Sequence, residues 1–275
     1  MNRTYISEIR TLKKYKSFKP TLIAGFPGPG LVGSISTSFI IDYLNMHQIA
    51  CLESDYITPG VIYIGGKLRH PFRIYANKEK NIFVMVCEAP ILINGIHIVM
   101  DTLIRWSKEN NVKEVIVLDS IPLNGMLKEG RKTIILHDDG LHREGIDKDR
   151  KYSKNQISKF EKNSNLDRNA IENSTNYNYT AYIGGLAGGL LSSCLSYGIS
   201  CTAILVPAPT GLADPEGAAL LIESFDKLTT TENLKIDPTQ LKKQGIIIRK
   251  QLDKIMKAIQ EQREQLPPEQ KSMYG

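Results

Sequence analysis

The sequence predicts an α/β protein: a mostly parallel sheet flanked by helices in a three-layer sandwich, plus a long C-terminal helix and a short tail. Two observations carry this. Short β-branched runs alternate along the chain with longer amphipathic ones, the rhythm of helices packed on a largely parallel sheet. Several of the short runs are apolar throughout, as strands covered on both faces must be.

The strand candidates, in order, are Thr21–Ala24, Ile49–Leu52, Val61–Ile64, Phe72–Tyr75, Ile82–Cys87, Val115–Leu118, Thr133–Leu136 and Thr202–Val206. Helices are expected between them. Val32, Ile35, Phe39, Ile40 and Tyr43 recur at helical spacing, as do Ile96, Val99, Met100, Leu103 and Ile104 after Asn94-Gly95. Gly184-Gly185-Leu186-Ala187-Gly188-Gly189 opens a helix running through Leu190–Leu195. Each glycine costs a helix interior about 1 kcal/mol, so this cluster predicts close backbone packing against a neighbour. Asp214-Pro215-Glu216 reads as a helix start, with Asp214 as N-cap, Pro215 in the first helical position and Glu216 facing the positive end of the dipole.

Residues 145–180 interrupt the rhythm with Lys148–Lys151, Lys154, Lys159, Lys162 and a series of Asn and Ser. Too little apolar surface is available there to offset chain entropy, so the segment reads as a polar surface excursion within an α/β domain of residues 1–238. A helix over 239–266 follows, with Ile248, Leu252, Ile255, Ile259 and Leu266 forming a narrow apolar seam suited to a partner helix. Pro267-Pro268 ends it. The remainder of 267–275 is expected to be a flexible partner-binding tail.

A chain of 275 residues suits one large domain with appendages. Its 41% hydrophobic and 23% charged residues are ordinary for a soluble globular protein. No apolar run has the length of a membrane span or of a signal peptide, so the expected location is cytoplasmic, with no membrane partner. Cys51, Cys87, Cys194 and Cys201 form no C-x-x-C pair and read as buried reduced thiols. In that setting the Asn173 and Asn178 sequons are silent. The net charge of +6 is spread along the chain without interleaved aromatics, which does not select nucleic acid as a partner.

Among chemical motifs, Gly28-Pro29-Gly30-Leu31-Val32-Gly33 satisfies G-x-G-x-x-G after a strand and before a helix, with Glu53 twenty residues past Gly33. That is the context of a dinucleotide site, and a nucleotide- or dinucleotide-dependent enzyme is the alternative reading. Pro27 and Pro29 count against it, since they remove amide donors from the loop that would hold a pyrophosphate. A Walker lysine, H-E-x-x-H and G-x-S-x-G are absent from the sequence. His137-Asp138-Asp139 with His142 is the densest run of potential metal ligands, but a carboxylate-rich turn at a strand end needs no metal. No catalytic residue, cofactor or metal follows from these motifs, and the protein is not expected to be an enzyme.

The last residues, Met273-Tyr274-Gly275, read differently. A hydrophobic residue, a tyrosine and a terminal carboxylate behind a helix, a double proline and a polar tether suit capture by a cationic pocket. The Tyr274 ring would supply buried area and a hydroxyl, and Met273 would fill an adjacent apolar notch.

Three stretches together resemble the proteasome-assembly-chaperone family, which contains the second eukaryotic chaperone of that pair and its archaeal relatives. They are Gly25 through Ser34; Val115–Leu118 with Asp119-Ser120-Ile121-Pro122; and Ile183-Gly184-Gly185-Leu186 through Leu205-Val206 to Asp214-Pro215-Glu216-Gly217-Ala218-Ala219. The resemblance spans roughly residues 20–230 and preserves their order. It implies a self-associating α/β sandwich without catalysis that acts on the α-ring of the proteasome core particle, as assembly chaperone or ATP-independent activator. It further implies that Met273, Tyr274 and Gly275 are the partner-binding residues, inserted between α-subunits where a lysine meets the terminal carboxylate. The sequence departs from the family pattern in the polar excursion at 145–180.

Overall fold

The computed structural model describes residues 6–15, 18–64, 66–123, 130–138, 182–228 and 234–248. Among these, the strands are β1 (Ser7–Thr11), β2 (Thr21–Gly25), β3 (His47–Ser54), β4 (Ile62–Ile64), β5 (Lys67–Arg69), β6 (Phe72–Asn77), β7 (Ile82–Cys87), β8 (Glu114–Leu123), β9 (Ile134–His137) and β10 (Ser200–Pro209). The helices are α1 (Val32–Tyr43), α2 (Ile96–Glu109), α3 (Gly185–Tyr197) and α4 (Pro215–Leu228).

Eight strands form one sheet in the order β1-β3-β6-β7-β2-β8-β10-β9, and β4 and β5 make a separate hairpin. The α/β layering is as expected, and parallel pairing is confined to the centre. Strands β7, β2, β8 and β10 run parallel, whereas β1, β3, β6 and β9 join by antiparallel pairing. The chain chemistry explains the division. Strands β2 and β7 are buried at every residue, because helices cover both faces of the centre. At the edge, β1 carries Glu8 and Arg10 and alternates between half-buried and exposed residues. An edge strand blunted by charges lacks an apolar run, which is why β1 escapes the sequence pattern.

Alternate residues of the central strands feed two cores. Leu22, Ala24, Phe83, Met85, Val115 and Val117 pack against α2 and α3 on one face. Ile23, Val84, Val86, Ile116, Leu118 and Val206 pack against α1 and α4 on the other. The glycine-rich start of α3 does what its composition predicts: a Cβ on Gly189 would stand 2.7 Å from Ile96 Cγ2 of α2. All four cysteines are buried and free.

Helix α4 begins as expected. The Gly217 amide donates to Asp214 Oδ1 at 2.9 Å, capping a helix whose first residue is Pro215. Asp237-Pro238 repeats the device. The Thr239 amide donates to Asp237 Oδ1 at 3.0 Å, and the chain is helical over 239–248, the last residues described. Leu234, Ile236 and Leu241 enter the core on the α1–α4 face, which seats this stretch on the domain. The remainder of the expected 239–266 helix, the tail, and the excursion at 145–180 lie outside the described residues.

Candidate functional site

The three stretches that carry the resemblance lie far apart in sequence and meet at the carboxyl ends of β2, β8 and β10. Their junction is the loop from Phe26 to Leu31. Gly30 has φ +66°, in the left-handed region, and a Cβ there would stand 2.9 Å from the Cβ atoms of both Ala208 and Asp214. A Cβ at Gly33 would lie 2.5 Å from the Leu118 carbonyl and 2.9 Å from the Phe26 amide nitrogen. Ser120, after the apolar run of β8, donates its hydroxyl to the Pro29 carbonyl at 2.8 Å. On the far side the Asp214 amide donates to the Gly30 carbonyl at 2.8 Å. The loop is thus held by β8 and by the start of α4 together.

Asp214 is the hub. Only 2% of its side chain is exposed, and it faces the Arg131 guanidinium, itself 6% exposed. Arg131 donates to both carboxylate oxygens, with Nη2 to Oδ1 at 3.0 Å, and also to the Pro207 carbonyl at 2.8 Å. Glu216 Oε2 stands 3.9 Å from the same guanidinium. A buried ion pair holds only when its remaining donors and acceptors find partners, and here the β10 carbonyl and the α4 amide supply them. Nothing in the local sequence marks Arg131, which stands in a polar stretch before β9.

Asp119 is the second carboxylate of this region. Burial pushes its carboxyl up to about 6, against a smaller opposing effect of the hydrogen bond from its neighbour's backbone at Ser120. A Cβ on Gly28 would lie 3.0 Å from Asp119 Oδ1, so the carboxylate packs directly on the glycine loop.

These contacts decide what the G-x-G-x-x-G stretch does. Its glycines make room for Leu118, Ala208, Asp119 and Asp214 of the same chain, and the Leu31 amide is taken by the Gly28 carbonyl at 2.9 Å. A pyrophosphate requires free amides and a positive surround, whereas here the Arg131 guanidinium is taken up by Asp214 and Asp119 adds a carboxylate. Glu53, the acidic residue at ribose-binding spacing, lies on β3, which β6 and β7 separate from β2. At about 4.8 Å per strand, that puts it some 14 Å from β2, whereas a dinucleotide fingerprint needs its acidic residue on the strand next to the glycine loop's own. The structure therefore does not bring the two halves of the fingerprint together.

The other residues singled out by sequence fall as follows. His137 Nδ1 lies 2.9 Å from Thr202 Oγ1, and Asp138 Oδ1 accepts from Ser200 Oγ at 3.4 Å, both contacts to β10. Asp139 and His142, and the partner-binding residues Met273, Tyr274 and Gly275, lie outside the described residues. One grouping has no signature in the sequence: Cys51, Glu53 and His70, the first two on β3 and the third in the link between β5 and β6. Cys51 and Glu53 share a strand face by their i, i+2 spacing, but only strand pairing adds His70. Among the described residues, no helix is long and apolar enough to cross a membrane.

Comparison with known proteins gives a consistent result. A solved Thermoplasma acidophilum protein of unknown function is similar at 30% identity and TM-score 0.65, with 92% of each chain covered. An uncharacterized protein of Methanocaldococcus jannaschii is 27% identical over 86% of this chain and 85% of its own. Pyrococcus furiosus PbaA, described as an archaeal homolog of proteasome-assembly chaperone, shares the fold at TM-score 0.68 and 20% identity, covering 98% of this chain and all of its own. Pyrococcus furiosus PbaB, described as an archaeal proteasome activator, matches at TM-score 0.66 and 16% identity, over 91% of this chain and 98% of its own. The PAC2 family profile matches residues 22–256, from the first residues of β2 through α4 and beyond. This chain belongs to the PAC2 family.

Proposed function

We propose that this protein binds the proteasome core particle as an assembly chaperone or ATP-independent activator, docking Met273-Tyr274-Gly275 into pockets of the α-ring. The observation that carries the reading is a hydrophobic-Tyr-Gly sequence, Met273-Tyr274-Gly275, on a PAC2 chain whose fold matches PbaA and PbaB. The Gly275 carboxylate pairs with a lysine of the ring, and the Tyr274 ring supplies the buried area. The protein acts by binding, not by catalysis. The described residues fit that role, since the glycine loop is filled by its own chain and Ser120 donates to a backbone carbonyl.

One tail binds weakly, and a self-associated protein presenting several tails to a ring gains by factors of about 10² to 10⁴ through effective concentration. Exposed apolar side chains at Val61, Tyr63 and Leu68, on and beside the β4–β5 hairpin, offer surface for such self-association.

The test is co-elution with a purified proteasome core particle. The full chain is expected to co-elute, and deletion of Met273–Gly275 or addition of residues after Gly275 to abolish it. Undiminished binding by both altered chains would refute tail docking. Peptidase stimulation of mature particles then separates activator from assembly chaperone.

A further inference from the structure

We infer that Cys51, Glu53 and His70 form a binding site for a single divalent metal ion of the zinc class, at the β3–β6 end of the sheet and independent of the glycine loop. The sulfur, carboxylate oxygen and imidazole nitrogen of these residues lie within 4.8 Å of one another. Glu53 Oε1 and His70 Nδ1 are 3.9 Å apart. Tetrahedral zinc, with bonds of about 2.0–2.3 Å, sets its ligands about 3.5 Å from each other. The three groups therefore need to close by about an ångström.

The two outer ligands have the freedom to do so. His70 and Glu53 side chains are 47% and 34% exposed, whereas Cys51 is fixed within β3 at 1% exposure. Both partly exposed ligands also line a cavity of about 420 Å³, walled further by Ser54, Asp55, Thr58 and Pro71. With Glu53 and His70 in the cavity wall and Cys51 as a third ligand, zinc there would keep a fourth position for water or an exogenous group. Thiolate, imidazole and carboxylate together select zinc over magnesium or calcium, which take oxygen ligands.

The surroundings support a cation. Arg10 Nη2 lies 3.0 Å from Glu53 Oε2, the oxygen turned away from His70, and Arg10 Nε is 3.0 Å from Glu8 Oε1. Arg10 thereby holds the Glu53 carboxylate with Oε1 directed at His70, as an outer-shell partner orients a ligand. Arg10 on β1 and Arg73 on β6 both stand opposite Cys51, and Arg73 pairs with Glu88 while donating to the His70 carbonyl. Three carboxylates, Glu8, Glu53 and Glu88, thus face two guanidiniums, Arg10 and Arg73, and leave one negative charge uncompensated. When the metal binds, the Cys51 thiol loses its proton to solvent and the thiolate forms the sulfur–metal bond.

The test uses full-length protein, stripped with a chelator and titrated with Co²⁺ as a spectroscopic stand-in, then with Zn²⁺ by calorimetry. The expected result is one ion per chain, a thiolate-to-cobalt charge-transfer band with tetrahedral visible bands, and displacement by Zn²⁺. Cys51→Ser should remove the charge-transfer band. His70→Ala should lower Zn²⁺ affinity at least tenfold, and because His70 is half exposed, this variant keeps the proposal testable if Cys51→Ser misfolds. Absence of the band in the wild type, its retention in a folded Cys51→Ser protein, or unchanged Zn²⁺ affinity in His70→Ala would each overturn the assignment. Core-particle co-elution by the metal-free protein distinguishes failure here from failure of tail docking.

Discussion

Asp214 Oδ1 accepts from Arg131 Nη2 at 3.0 Å and from the Gly217 amide at 2.9 Å, so one carboxylate oxygen joins a buried ion pair to the first turn of α4. The Asp214 amide in turn holds the Gly30 carbonyl, which links the pair to the glycine loop. The consequences can be measured.

Arg131→Met leaves the Asp214 charge buried without its partner. The expected cost is about 3–5 kcal/mol, read from the urea midpoint. Arg131→Met combined with Asp214→Asn removes the orphaned charge and keeps a capping side chain, so the double variant should be more stable than Arg131→Met alone. If the two changes simply add, the pair is not coupled as described.

At Gly33 the neighbours are backbone and cannot yield cheaply. Gly33→Ala is expected to destabilise by about 1–3 kcal/mol through overpacking against Leu118 and Phe26. Gly60 has no atom within 4 Å of a Cβ. Gly60→Ala should therefore be neutral or stabilise by up to about 1 kcal/mol. Equal thermal shifts for the two variants would show that packing is not why Gly33 is glycine.

Asp119 should give the protein an acid-side pH dependence. Its carboxyl is raised from 3.8 to about 6 in the folded state, so between those values the native protein binds more protons than the unfolded chain. Stability attributable to this group is greatest near pH 4 and falls as pH rises through 6. Asp119→Asn should flatten that slope and raise stability at pH 7 by up to about 3 kcal/mol, since each tenfold rise in proton affinity on folding is worth about 1.4 kcal/mol. A chemical-denaturation series from pH 4 to 8 reads the difference, and an unchanged slope would count against the assignment.

On the proposed tail docking, Tyr274→Ala should weaken core-particle binding at least tenfold, because several tails engaged at once would multiply the loss at each. Tyr274→Phe, which keeps the ring and loses the hydroxyl, should fall between the two. Surface-immobilised core particle provides the measurement.

How far the fold is legible in the sequence depends on burial. Strand β7 is predicted to the residue, Ile82–Cys87, because helices cover both its faces and no polar position interrupts it. The β5 strand, Lys67-Leu68-Arg69, and the β1 strand, Ser7-Glu8-Ile9-Arg10-Thr11, carry too few apolar residues to announce themselves. The Asp214 cap is legible because an N-cap, a proline and an acidic residue act within one turn. Arg131 is not, because its partner lies 83 residues away.

By itself the sequence determined what short-range physics controls: layered α/β composition, the buried central strands, the close-packed start of α3 and the Asp-Pro helix starts. Tertiary structure alone decided the strand order. Inserting β6 and β7 between β2 and β3 carries Glu53 away from the glycine loop and sets it beside Cys51 and His70. Periodicity reports which faces of a segment are buried, whereas the choice of neighbouring strand is made by contacts between segments distant along the chain, which no local pattern encodes.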